Sequence, residues 1–468
     1  AILVSALAVV VALSGLWFSP MVELRSIAVG GILVIAVAAA AALTLVPVLL
    51  ALLGPRVDWP RPLVPAEGRA SVREAWRRWA RAVMRRPVLM LVVALGLLLA
   101  IASPVRSLVL GFGNTRWLPE SMESRQGIDI LESIGPVNAM LPIEVVVEAT
   151  DGQPVMSLGH LPSLYRFGRT LSGTPGVAEV LSPFHLRPNM GLTEVLMLYR
   201  NPDAAWRRFP AVRAWFVGNR QTMVLFRVIP DRSIGLDGAQ ALARRLARLD
   251  PRGSFRLRVG GEPQYYNDFD DHMGKAFVRA VAFVLVVTLV VLGWSFRSIL
   301  VPIKAIVMNL LAVAASYGVL VAVFQWGWGA AALGMAEPLE AIPKTIPVIV
   351  FCVTFGLSMD YEVFLLARIR EAWDASGDNA ASVEEGLAAT GGLITSAAAI
   401  MVVVFGCFAW AEVAIVKMIG LGLATAVLVD ATLVRILLVP AFMRLAGRWN
   451  WWPGSPAVLR SGLSGGES

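Results

Sequence analysis

Apolar residues run through the chain in long blocks, and polar residues gather in a few places between them. Eight blocks read as membrane spans: residues 1–17, 25–53, 87–110, 273–296, 299–326, 342–367, 389–410 and 414–445. A helix crossing the hydrocarbon core needs about 20 apolar residues. The one long polar stretch, 111–272, lies between the third and fourth blocks. There the periodicity changes. Residues 141–149, 177–181, 222–229 and 255–259 read as strands, and 156–171 and 236–249 as helices. The order βαβ–βαβ predicts a split βαβ, ferredoxin-like α/β domain. Residues 184–218 form a mainly helical insertion between its halves. The predicted fold class is a polytopic α-helical membrane protein with eight spans and an extracytoplasmic α/β domain.

Composition agrees with the pattern. The 468 residues are 57% hydrophobic, and the mean hydropathy is +0.68. The chain opens inside an apolar run without the basic region and cleavage site of a signal peptide, so it is expected to start in mid-helix. Net charge is +8, and its arginines sit beside apolar blocks. That placement points to membrane orientation rather than nucleic acid.

Within the linker 54–86, Arg69, Arg73, Arg77, Arg78, Arg81, Arg85 and Arg86 share a stretch with Trp76, Trp79, Val83 and Met84. This reads as a basic amphipathic helix lying on an anionic leaflet. The positive-inside rule makes the linker cytoplasmic and 111–272 outer. Residues 327–341 become a short outer loop, 368–388 a charged inner loop carrying a short helix, and 446–468 a cytoplasmic tail. In the insertion, Arg200, Arg207, Arg208, Arg213 and Arg220 face only Asp203. They fit a solvated surface, or one for anionic headgroups.

The ends of the chain repeat. Pro47, Gly54 and Trp59-Pro60 recur at the same spacing as Pro440, Gly447 and Trp452-Pro453. Upstream, Arg25 and Gly30 match Lys417 and Gly422. Residues 1–53 therefore read as the last two helices of one repeat, with 87–110 and 273–445 as the six helices of a second. Parallel repeats are a transporter signature. About four spans and a matching outer domain are expected upstream.

Chemistry enters at Asp360, inside an apolar span. An ionisable group there costs roughly 2.5–3.5 kcal/mol on insertion scales and is functional by default. The plain alternative is a satisfied interhelical hydrogen bond. Tyr361 is one helical step, about 100°, further round, so each side chain is expected to meet another helix. Gly356 lies a turn before Asp360 and permits close helix approach. Glu362 reads as structural, solvated or paired with Arg368. Asp430 is a second intramembrane acid, with helix anchoring or coupling as its roles. Arg435 is five residues on, about 140° round an α-helix, which predicts a poor direct pair. Lys304 and Arg297 are expected to snorkel inward. Ser396, Thr395 and Asn309 fit a relay or ordinary helix glue.

The two cysteines, Cys352 and Cys407, and three distant histidines lack metal-ligand spacing. No metal site is expected. No nucleophile–base constellation appears either, so an enzyme is not expected.

Phe355-Gly356-Leu357-Ser358-Met359-Asp360-Tyr361 resembles the MMPL motif of the resistance–nodulation–division (RND) transporter superfamily. Leu428-Val429-Asp430-Ala431-Thr432-Leu433-Val434-Arg435, then Pro440 and Asn450-Trp451-Trp452, are similar to the end of MMPL proteins. The large outer loop fits as well. The resemblance covers essentially the whole chain, as the C-terminal two-thirds of a twelve-span member.

It implies a secondary active transporter of the inner membrane that exports lipids or other amphiphiles using the proton gradient. The outer domain would be a porter domain, and no cofactor would be needed. The implied partners are the lipid bilayer, the amphiphile and the missing N-terminal repeat, with no nucleic acid. Asp360 and Tyr361 match one Asp-Tyr proton-relay pair; the other would lie in the missing repeat. A protein-translocation accessory factor of the same superfamily is the alternative. One proton crossing about 150 mV supplies roughly 3.5 kcal/mol. Drawing a C16 chain into water costs about 12 kcal/mol. The tail must therefore stay in an apolar path.

Overall fold

The computed structural model describes residues 2–54, 56, 66–111, 118–134, 141–187, 190–218, 220–231, 233–335 and 337–453. Trp59-Pro60 of the repeat, much of the 54–65 linker and the tail beyond 453 lie outside the described residues.

The chain opens with α1 (Ile2–Ser14), a 3-10 turn Gly15–Phe18, α2 (Val22–Leu43) and α3 (Leu45–Leu53). Next come α4 (Ala66–Arg85), α5 (Pro87–Ala102) and α6 (Glu123–Ile134). The α/β segment runs β1 (Ile143–Ala149), α7 (Leu161–Ser172), β2 (Val177–Leu181), α8 (Leu192–Leu198), α9 (Pro202–Arg208) and α10 (Pro210–Phe216). It closes with β3 (Met223–Pro230), α11 (Leu236–Leu246) and β4 (Phe255–Gly261). Then follow α12 (Glu262–Phe296), α13 (Leu300–Leu320), α14 (Thr345–Ser376), α15 (Asn379–Phe408) and α16 (Ala414–Val429). A π-helical stretch, Asp430–Leu438, leads into α17 (Val439–Ala446).

Among the described residues, seven helical stretches are long and apolar enough to cross a membrane: Val22–Leu53, Pro87–Ser107, Glu262–Phe296, Leu300–Gln325, Thr345–Ser376, Asn379–Phe408 and Ala414–Trp451. The first predicted span is a shorter apolar helix, Ala6–Phe18. Of the seven, Thr345–Ser376 is the most enclosed, and Val22–Leu53 has its whole apolar window uncovered. α14 is thus the centre of the helical unit. That unit holds the helices up to α5 and the chain from His272 onward; residues Glu120–Asp271 form a second compact unit.

In the second unit the sheet order is β2-β3-β1-β4, and every neighbouring pair is antiparallel. β1 alternates buried and half-buried positions along its length. Ile143, Val145 and Val147 join Val224, Phe226 and Val228 of β3 in one core with Leu164, Phe167 and Leu171 of α7 and Leu242 and Leu246 of α11. The opposite face carries charge: Arg227 bonds Glu144, its register partner, at 3.1 Å. Opposite charges directly across a ladder stabilise the pairing. Tyr199 is buried in the insertion and donates to the Pro183 carbonyl at 2.8 Å. Burial pushes its phenol well above the ordinary range, so it stays a donor.

The repeated motif has a repeated backbone. Gly54 and Gly447 end their helices in one conformation, φ 50°, ψ −132° and φ 53°, ψ −125°, a region open to glycine. The repeat cations also act alike: Arg25 Nε donates to the Ser19 carbonyl at 2.8 Å, and Lys417 Nζ to that of Leu333.

Two features differ from the sequence reading. A charged loop with a short helix is expected over 368–388; instead α14 and α15 extend until a two-residue turn joins them. Gly377, left-handed at φ 66°, closes α14. Asp378 caps α15, accepting from Ala380 N at 2.8 Å and Ala381 N at 3.3 Å. Polar helix turns carry no apolar signal, so the apolar blocks stop short of the real helix ends.

The extension then explains α4. The sequence places this helix on a lipid leaflet, but Ala80, Val83 and Met84 are buried. Trp76 lies against α15, where a methyl on Gly391 would fall 2.5 Å from its ring. Arg77 pairs with Glu385, and Arg81 with Glu384 at 3.4 Å. The early start of α15 supplies both counter-charges.

α13 and α5 meet backbone to backbone. A Cβ on Gly318 would lie 2.0 Å from the Ile101 carbonyl oxygen, whereas one on Gly96 would meet open space. Gly318→Ala should destabilise the protein by about 1–3 kcal/mol through overpacking, and Gly96→Ala should not. Thermal midpoints in detergent check this; equal midpoints would show that the helices do not touch there.

Candidate functional site

Pro347 sits in the first turn of α14, where its missing N–H does no harm. From there the helix runs unbroken through its polar residues. At about 100° per residue, Thr354, Ser358 and Glu362 fall on one face, and all are buried (1%, 3% and 5% exposed). Asp360 and Tyr361 are half-buried. On α13, Asn309 accepts from Ser358 Oγ at 2.6 Å.

The other side of the site comes from the π-helical stretch. Arg435 Nε and Nη2 both donate to Asp430 Oδ2, at 2.9 and 2.7 Å. Arg435 Nη2 also donates to the Ser358 carbonyl and lies 3.2 Å from Ser358 Oγ. The guanidinium carbon stands 5.4 Å from the centre of the Tyr361 ring, a cation–π contact worth up to about 2 kcal/mol when desolvated. A cavity here is lined by Thr354, Ser358, Tyr361, Met401, Asp430 and Arg435, among others.

The five-residue spacing predicts a poor Asp430–Arg435 pair, yet the two side chains are bonded. Its 140° separation assumes an α-helix. A π-helix bonds i to i+5, which brings residues five apart onto one face. Pro440 favours that register: it has no N–H for the Ile436 carbonyl and its ring crowds that oxygen. In the first repeat, Pro47 likewise stands four residues beyond Leu43, the last residue of α2.

Two further readings change. Lys304 is 3% exposed and does not snorkel. Glu362 is buried, and Arg368 bonds Glu371 instead at 2.7 Å. Lys304 and Glu362 act on each other electrostatically. Among the described residues Lys304 Nζ, Glu362 Oε1 and Asn309 Nδ2 have no hydrogen-bond partner.

The predicted relay residues are only partly brought together. Tyr361 OH lies 3.5 Å from Met401 Sδ on α15. The Asp360 side chain is half-buried, and the charge of Arg435 acts on it. Gly356 faces α1, where a Cβ would stand 3.2 Å from Ala12 Cβ and from Val9 Cγ1. Ser396 is exposed and bonds Leu393 of its own helix at 3.0 Å; it is not part of the cluster. Ser358 is a residue of the site that the sequence reading misses, although its spacing from Thr354 and Glu362 marks a polar stripe. No cluster of metal-ligating side chains occurs among the described residues.

Apolar helices around a buried charge cluster, with an added α/β unit, define a multi-pass membrane protein. The chain belongs to the MMPL family, whose model matches residues 1–90 and 116–461; its relatives are MmpL proteins of the RND superfamily. It is 34% identical over 456 residues to the heme uptake protein MmpL11 of Mycobacterium tuberculosis, covering 97% of this chain and 44% of that protein. It is 34% identical over 462 residues to the mycolic acid-containing lipids exporter MmpL11 of Mycolicibacterium smegmatis, with coverage of 97% and 44%. The trehalose monomycolate exporter MmpL3 of the same organism is 28% identical over 480 residues, with coverage of 96% and 44%. The chain thus spans less than half the length of these relatives. In fold it resembles the hedgehog release protein Disp of the water bear Hypsibius dujardini, with a TM-score of 0.59 at 14% identity over 95% of this chain and 58% of that one.

Arg435→Met leaves Asp430 buried without its counter-charge, and should destabilise the protein by about 3–5 kcal/mol. Adding Asp430→Asn should recover part of that loss. Thermal unfolding of wild type, both single variants and the double variant checks it; strictly additive losses would deny a direct pair.

Proposed function

We propose that this chain is the proton-coupled part of a transporter, not an enzyme, that exports lipids from the inner membrane. One observation carries the reading: Asp360 and Tyr361 lie in the most enclosed span beside the buried Asp430–Arg435–Ser358 network. Relatives that match nearly the whole chain are named as lipid exporters, which supports the substrate class.

In this reading Asp360 takes up and releases the proton. Its charge change is felt by Arg435, which is tied to Asp430, to Ser358 and through Ser358 to Asn309. Neutralising Asp360 would release part of the guanidinium's attraction and shift the packing of α13, α14 and the π-helical stretch. A ligand or proton moves such an equilibrium only by its differential interaction with the two states.

The second unit is read as a ferredoxin-like porter domain, since strand order β2-β3-β1-β4 with a helix in each βαβ half fits that arrangement. It would give the lipid tail an apolar route, which the energetics demand: roughly 3.5 kcal/mol per proton cannot draw a C16 tail through water at about 0.8 kcal/mol per CH₂. The arginine-rich α4 faces the cytoplasm by the positive-inside rule. The remaining length of the relatives would supply the second Asp-Tyr pair. A second reading, heme as the amphiphile, is favoured by the name of the Mycobacterium tuberculosis relative.

Asp360→Asn in the full-length protein should reduce proton-driven lipid export to background while expression and membrane insertion stay at wild-type level. Wild-type export by this variant would sink the relay role. Measuring heme uptake alongside decides between the two cargoes.

A further inference from the structure

One hydrogen bond ties the linker helix to the residue next to the ion pair. Trp79 Nε1 on α4 donates to the carbonyl oxygen of Ile436 at 3.2 Å. Ile436 adjoins Arg435 inside the π-helical stretch. In an α-helix that oxygen would accept from the N–H of residue 440, but Pro440 has none, and its ring presses on the same carbonyl. An indole N–H is a donor with no accepting atom. The indole thus gives that oxygen a donor from α4 of the kind that Pro440 withholds in an α-helical register; in the π register the backbone partner shifts to residue 441.

Two more observations place the weight on this bond. α4 is anchored elsewhere, by Arg77 on Glu385, Arg81 on Glu384 and Trp76 against Gly391, so Trp79 is not needed to hold the helix down. The Trp79 side chain is also poorly covered, the residue being 44% exposed. What its position achieves is the contact at Ile436 rather than burial of the ring.

We propose that Trp79 is a positioning residue for the Asp430–Arg435 pair, holding from the linker helix the π-helical register that closes it. The pair in turn sets the guanidinium against Ser358 and Tyr361. α4 thereby fixes the geometry of charges beside Asp360, although Trp79 is not among the residues that line the cavity. The proposal rests on the proton-coupled reading only where it concerns transport; the structural link stands apart from it.

The test uses the full-length protein in detergent and in liposomes. Trp79→Phe keeps an aromatic ring and removes the donor. Pro440→Ala restores an N–H to the helix. Trp79→Phe should lower the thermal midpoint by about 2 °C, and by less than half as much in the Pro440→Ala background. Its effect should also be non-additive with Arg435→Met. In liposomes Trp79→Phe should shift the pH profile of proton-driven export, and Trp79→Tyr, which also lacks the indole N–H, should not rescue it. Equal losses in both proline backgrounds, strict additivity with Arg435→Met, or an unshifted pH profile overturns the proposal. Asp360→Asn is run beside these variants. If it exports normally, the proton-coupled reading fails, while the thermal cycle still reports on the link between Trp79 and the pair.

Discussion

Two opposite charges placed in an apolar interior must find each other, and the backbone here changes its winding so that they do. Asp430 and Arg435 are nearly fully buried, where an unpaired charge would carry a penalty of several kcal/mol. The π-helical stretch brings them together. Much else follows from that one closure. With Nε and Nη2 on Asp430, the guanidinium still has a hydrogen for Ser358 and a face for the Tyr361 ring. Ser358 passes the connection to Asn309. Three helical elements are thereby joined at one point, and Asp360 stands next to the joint without being tied into it.

The α/β unit follows simpler rules. Its strands bury alternate side chains, α7 and α11 cover them, and its charges pair across the exposed face. The core is made of ordinary aliphatic and aromatic residues, with Tyr199 using its hydroxyl to satisfy a buried carbonyl. This is the kind of core that a soluble domain would have, in a chain whose other unit exposes apolar helix faces.

What could be read from sequence, and what could not, divides along physical lines. The apolar blocks were legible because a bilayer imposes a length, and β2 was legible to the residue because its ends are marked by turn residues. Asp360-Tyr361 was legible because an acid in an apolar run is conspicuous. The Asp430–Arg435 pair is hidden from a helical wheel, which takes 3.6 residues per turn for granted, a premise that the π-helical stretch before Pro440 breaks. Lys304 and Glu362 read as residues of the aqueous edge because long charged side chains usually reach it; here both are buried. The face of α4 reads as lipid-facing in the sequence because its true partner, the first turns of α15, is polar and carries no apolar signal.

The short join between α14 and α15 has a mechanical side. α14 is 32 residues long, about 48 Å at 1.5 Å per residue, against a hydrocarbon thickness of about 30 Å. From Asp360 to the end of the helix is about 24 Å on the same scale. A helix without a break behaves as a stiff rod over that distance, so a tilt of about 5° beside Asp360 moves its far end by about 2 Å. Gly377 and Asp378 leave no slack to absorb that movement. It is handed to the first turns of α15, where Glu384 and Glu385 grip α4. The hairpin is thus built like a bell crank, a stiff arm turning a short corner: a displacement at mid-membrane would be felt at the linker.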